Sequence, residues 1–315
     1  MALTNLVLAD DFSNTSSQGR NRSKLSRQLA SHLSEILKAH LHIIYVEDTP
    51  EFHFDGSLLN LVDPIHACQL DDLKQTIEET TGNTNIHLEI AMGSPAEKIL
   101  EYANSTSSKL IVTGTRGLRG PGKLFLGSVT EEVARNSQIP VFVIGPTVKR
   151  ISFSCRQEHP RILLLTDLSW TSKNAENYTK KLAKQTNAEV TILHSVGEPI
   201  HKLKQLVYRS RVPIFSLDER VAEMKKWAYE NLNRCKEKFT EDNILVQIIL
   251  LHKEHDFLID FKKELKNGYD LVIIGTHGRT KTMTSFLGST ARKACLVSST
   301  PVAIVPSKSN NISSS

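Results

Sequence analysis

Two short stretches 161 residues apart, written in nearly the same letters, constrain this chain more than anything else in it. The first is Gly114-Thr-Arg116-Gly117, then nine residues, then Gly127-Ser128-Val129. It follows the apolar run Leu110-Ile-Val-Thr113 and precedes a helical pattern from Val129 to Asn136. The second is Gly275-Thr-His277-Gly278, nine residues, then Gly288-Ser289-Thr290, after the apolar run Leu271 to Ile274. Strand, glycine loop and helix start, in that order, present backbone N–H groups and a helix N-terminus to an anion. Side chains at Gly114, Gly117 or Gly127 would keep phosphates off those amides. For one copy, a plain turn glycine is an equally good reading. Two full copies point to a nucleotide-type site.

The register holds beyond the loops, since Pro140 and Pro301 are also 161 positions apart. A constant spacing with roughly 160 residues per unit specifies two domains of ordinary size and excludes a short-repeat solenoid. The expected boundaries are 1–148 for the first domain, 149–159 for a linker, 160–306 for the second domain, and 307–315 for a disordered tail. A length of 315 residues gives each unit room for its own core.

Within each unit, short apolar runs alternate with amphipathic stretches. The first unit offers Leu6–Ala9, Leu41–Val46, Ile86–Ala91, the strand before Gly114, and Pro140–Ile144. A helix with Leu25, Leu29, Leu33, Ile36 and Leu37 on one face follows a polar segment, Ser13 to Ser23. Further helices are expected over Cys68–Thr80, from Pro95 to about Asn104, and after Ser128. The second unit repeats the plan, with a basic loop expected over Glu198–Pro213 before a long helix from about Leu217 to Phe239. Strands that read as continuous apolar runs between helices specify an α/β fold. Each unit is then a doubly wound, parallel, five-stranded sheet with its ligand at the carboxyl ends of the strands. Asp11, Gly93 and Gly114 all fall at that edge.

The pattern G-x2-G-x9-G-[S/T] resembles the nucleotide-binding signature of the universal stress protein family, and two copies in one chain resemble its tandem-domain members. The resemblance covers about residues 3–146 and 160–306. It implies a Rossmann-like sheet of the adenine nucleotide alpha hydrolase type in each unit. It also implies a cytoplasmic stress-response protein that binds ATP or another adenine nucleotide as a ligand and acts through a protein partner. By similarity, Asp11 and Asp167 contact the adenosine moiety, and Val46 and Val196 lie against the adenine. Gly93, Thr113, Gly114, Arg116, Gly117, Gly127, Ser128 and Val129 take the rest of the ligand in the first unit. Gly275, His277, Gly278, Gly288, Ser289 and Thr290 do so in the second. Gly93-Ser94-Pro95 matches the family's G-x-P turn, where the second unit has the bulkier Leu251-His-Lys-Glu-His255. In single-domain relatives the last strands pair across a dimer. Pro140–Ile144 and Pro301–Val305 are accordingly expected to pair with each other as an intrachain pseudo-two-fold, with a further homodimer open.

Each residue also has a plainer reading. Ser128 with Glu131 three positions on reads as a capping box. Ser289 has Arg292 and Lys293 instead, cations that oppose the helix dipole unless an anion is near, which favours phosphate at the second site. Asp11 and Asp167 double as helix caps, a role Ser13 and Ser169 fill equally well. His252, His255, Glu254 and Asp256 suggest a metal, but the loop context favours solvated side chains.

Composition sets the remaining bounds. A net charge of +5 suits phosphate ligands and is too dispersed to indicate nucleic acid. Apolar runs of about half a dozen residues are too short to span a membrane. Four scattered cysteines without a C-x-x-C read as free thiols. There is no P-loop, kinase motif set or G-x-S-x-G elbow. With no dedicated base in view, nucleotide is expected as ligand, with hydrolysis at most weak, and Mg²⁺ held mainly by its phosphates.

Overall fold

Leu6 and Leu8 point to one side of the first strand and Val7 to the other, and all three are fully buried. That alternation requires a sheet covered on both faces. The structure, a computed structural model, describes residues 4–12, 17–47, 86–115, 126–154, 157–210, 217–254, 256–276 and 287–307. The helix expected over Cys68–Thr80 and the tail beyond Ser307 lie outside them.

The first half contributes strands β1 (Thr4–Ala9), β2 (Ala39–Glu47), β3 (Ile86–Met92), β4 (Ile111–Gly114) and β5 (Val141–Ile144). Its helices are α1 (Ser17–Leu37), α2 (Pro95–Ser105) and α3 (Ser128–Asn136). The second half contributes β6 (Arg161–Leu165), β7 (Glu189–Ser195), β8 (Val246–Leu251), β9 (Leu271–Gly275) and β10 (Val302–Val305). Its helices are α4 (Lys173–Thr186), α5 (Gly197–Ser210), α6 (Leu217–Thr240), α7 (Phe257–Leu265) and α8 (Ser289–Val297).

Each half is parallel throughout, and the two join into one ten-stranded sheet of order β3-β2-β1-β4-β5-β10-β9-β6-β7-β8. The join is antiparallel, with Val302 opposite Val143, Ala303 opposite Phe142 and Ile304 opposite Val141. The pairing expected between the last strands of the two units is therefore present, and the strand order reads the same from either edge. One core layer packs Leu25, Leu29 and Leu33 of α1 with Leu182 of α4 and Leu232 and Phe239 of α6. The opposite layer packs Ile99 of α2, Val133 of α3, Phe261 of α7 and Ala294 of α8. Phe142 meets Tyr178 of α4 edge-on at 6.3 Å, tying the halves together beneath the seam.

Two expected elements differ from what the chain forms. The stretch expected as a basic loop after Glu198 is helical over Gly197–Ser210. Ile200 anchors it against Val196 and Ala228, and Lys202 pairs with Glu198 at 2.6 Å one turn back. The polar segment expected before α1 is already helix from Ser17. Its described side chains Arg22 and Ser23 line a cavity, as does Ser26 further along the helix.

Candidate functional site

In each half, the carboxyl ends of the strands leave a cavity where the chain crosses from one face of the sheet to the other. The first encloses about 650 Å³, within the size range of small-molecule pockets. Its apolar side is Ile44 and Val46 from β2 with Ile99 of α2, and its polar side gathers Asp10, Asp11, Arg22 and Ser23. The third side is Thr113, Gly114 and the start of α3: Gly127, Ser128 and Val129.

The local conformation explains the residue types. Gly127 is the N-cap of α3 at φ 79, ψ 134, a region that L side chains rarely adopt. Ser128 is therefore the first helical residue, and among the described residues no side chain caps the helix. The capping box expected from Ser128 and Glu131 does not form, because the serine lies one position too far into the helix to serve as its cap. Among the described residues the first amides of α3 thus have no side-chain cap, the arrangement that suits an anion. Thr130 donates its hydroxyl to the Gly114 carbonyl at 3.0 Å, fixing α3 over the end of β4.

At the end of β1 two adjacent aspartates divide the work. Asp10 is buried, accepts the Phe12 amide at 2.9 Å and pairs with Arg27 at 2.5 Å. Burial pushes its carboxyl above the usual range, with Arg27 and the Phe12 amide pulling the other way. Asp11 is exposed at the cavity and accepts the Ser23 hydroxyl at 3.2 Å. Burial lowers the Arg22 pKa, and neighbouring Asp11 opposes the shift. Gly93 does not line the cavity. It turns the chain at φ 120 with its amide on the Glu47 carbonyl, and this sets Pro95 against the pocket.

The second cavity encloses about 770 Å³ and includes Asp167, Val196, Gly275, Gly288, Ser289 and Thr290. Asp167 accepts both the amide and the hydroxyl of Ser169, at 3.0 and 2.6 Å, and so shapes the turn into a short 3₁₀ segment, Trp170–Ser172. Gly288 lies at φ −51, open to any residue, unlike its counterpart Gly127. The walls differ as well: Met224 and Trp227 of α6 and Phe257 of α7 line this cavity. The turn that replaces Gly-x-Pro packs the Lys253 carbonyl against Gly197, leaving no room there for a Cβ. Asp256, weighed as a metal donor, caps α7 through the Leu258 amide at 3.0 Å.

Arg116, Gly117, His277 and Gly278 lie outside the described residues. Sequence reasoning missed the polar face of α1 and the aromatic wall of α6. It also read Arg292 as favouring phosphate at the second cavity. Arg292 lines the first one, 3.5 Å from Glu131, which is the anion that relieves its position in the first turn of α8. The spacing of 161 residues that equates Glu131 with Arg292 was the available signal.

The chain matches the family model described as "Universal stress protein family" over residues 20–145 and again over 159–306. A universal stress protein of Methanocaldococcus jannaschii is 34% identical over 131 residues, covering 39% of this chain and 76% of that relative. Universal stress protein YxiE of Bacillus subtilis is 31% identical over 147 residues, 46% of this chain and 97% of its own. Among solved structures, a universal stress protein from Archaeoglobus fulgidus shares the fold across 96% of this chain and 97% of its own. The TM-score is 0.63 at 20% identity. With both halves matched and joined through their last strands, the chain belongs to the universal stress protein family as a tandem-domain member.

Proposed function

We propose that this chain is a cytoplasmic stress-response protein that binds ATP or a related adenine nucleotide in its first unit as a regulatory ligand and acts through a protein partner. The observation that carries the reading is the composition of the first cavity. One wall is apolar (Ile44, Val46, Ile99), one edge holds the carboxylate of Asp11, and the far end is the start of α3 at Gly127, with no described side-chain cap. An adenine ring, its hydroxyl-bearing ribose and a phosphate chain need those three surfaces in that order. We assign the adenine to Val46, the adenosine polar groups to Asp11, and the phosphates to Thr113, Gly114, Gly127, Ser128 and Val129. Arg116 and Gly117 are added from the sequence alone, and Mg²⁺ is held through the phosphates. The domain limits 1–148 and 160–306, with a linker over 149–159, belong to the same proposal.

A second reading applies to the second unit. Met224, Trp227 and Phe257 make its cavity wall bulky and apolar, which favours a site that has lost nucleotide and serves partner binding instead. Equilibrium dialysis of purified full-length protein against ATP, with product analysis, tests both. One equivalent bound per chain and negligible turnover supports the proposal. No binding leaves a partner-binding scaffold, and steady ADP release makes the nucleotide a substrate.

A further inference from the structure

Arg292 and Glu131 hold the same place in the two halves. Each amide closes the first turn of its helix onto the glycine N-cap, Glu131 onto Gly127 and Arg292 onto Gly288, both at 3.0 Å. The Arg292 Nε stands 3.5 Å from Glu131 Oε2, so equivalent positions face each other across the seam. Two copies of either half would set like charge against like there, and the tandem chain makes the contact complementary.

The consequence is lopsided. Both side chains line the first cavity, and neither is among the described residues lining the second. The first cavity therefore receives a guanidinium from the second half, while no described residue of the first half lines the second cavity in return. The ion pair holding that guanidinium is partly exposed, 43% at Arg292 and 22% at Glu131. A pair so wetted contributes little stability and is readily exchanged. A phosphate offers a fork-shaped donor more acceptor oxygens and more charge than a carboxylate does.

We propose that Arg292 is the charge-sensing residue of the first cavity. The guanidinium supplied by the second half leaves Glu131 for the phosphates of the bound ligand, so the number of phosphates is read at the seam between the halves. The inference rests on the nucleotide reading above. Glu131 acts as its competitor and as a carboxylate that repels a phosphate chain, so the two side chains have opposite effects. A bound triphosphate removes the cross-seam pair, and adenosine leaves it in place.

The test is the ratio of ATP to adenosine affinity in full-length protein, measured by calorimetry for four chains. Against wild type, Arg292→Gln is expected to lower the ratio about ten-fold, the worth of one charge-assisted hydrogen bond less a surface ion pair. Glu131→Gln is expected to raise it about three-fold. Lys293→Gln, on the same helix but lining neither cavity, leaves it within a factor of about two. A ratio unchanged in both Arg292→Gln and Glu131→Gln, with ATP still bound, overturns this inference alone. Wild-type protein that binds neither ATP nor adenosine overturns the nucleotide reading as well. Because the Glu131 variant moves the ratio upward, misfolding cannot imitate the expected pattern.

Discussion

The Nε of Arg27 stands 2.5 Å from Oδ2 of Asp10 beneath the first cavity, with less than a tenth of either side chain exposed. Burial raises the Asp10 pKa, and Arg27 is the main force opposing it. A carboxyl whose folded pKa is raised contributes most to stability when protonated, and that contribution is lost as pH rises through the folded value. Arg27→Met removes the opposing charge and moves the folded value further up. The variant is expected to lose about 3–5 kcal/mol near neutral pH, because it strands a buried carboxylate. The deficit should narrow at a more acidic pH, where Asp10 takes up a proton more readily. Thermal unfolding at the two pH values checks this, and a deficit that does not change with pH contradicts it.

A Cβ on Gly145 would lie 2.1 Å from the Cys295 carbonyl oxygen. This glycine directly follows β5 in the first half, and the carbonyl belongs to α8 in the second, so the contact sets how closely the halves approach. Gly145→Ala is expected to destabilise the chain by about 2–3 kcal/mol, the scale of an overpacked interior contact that backbone cannot relieve. Denaturant midpoints measure it. A variant as stable as wild type would mean that the seam is looser than described.

The paired loop glycines should respond differently to the same change. Gly127 sits at φ 79 and Gly288 at φ −51. Gly127→Ala is expected to lose about 1–3 kcal/mol through backbone strain, and Gly288→Ala to stay within about 0.5 kcal/mol of wild type. Equal losses in both would contradict the assignment.

Cys235 and Cys295 should resist alkylation in the folded chain. Burial pushes the Cys235 thiol up to about 12 and raises Cys295 as well, so neither is a thiolate at pH 8. Mass spectrometry after iodoacetamide treatment should show both unmodified until denaturant is added. Labelling of either at the unfolded rate contradicts the burial.

The sheet was legible because its strands are apolar on both faces: Ile162 to Leu165 and Val302 to Val305 have no other use for such runs. The cross-seam pairing was expected from the resemblance to single-domain family members, whose last strands pair across a dimer, and not from any residue pattern in β5 or β10. What escaped was set by tertiary contacts. α5 depends on Ile200 meeting Ala228 of α6, and the polar start of α1 depends on a cavity that no local pattern announces. Ser128 looked like a cap because its neighbours in sequence fit one, but the conformation of Gly127 moved the helix start by one residue. Arg292 was visible as a misplaced cation, yet its destination lay across a seam with no trace in either half taken alone.

The most direct measurement for the whole account is calorimetric titration of full-length protein with ATP, using two variants that fill one cavity each. Ser128→Trp occupies the first cavity and Ser289→Trp the second. The expected result is a saturable heat in wild type that survives Ser289→Trp and disappears in Ser128→Trp. A heat that persists in Ser128→Trp, or no heat in wild type, would contradict the placement of the nucleotide in the first half.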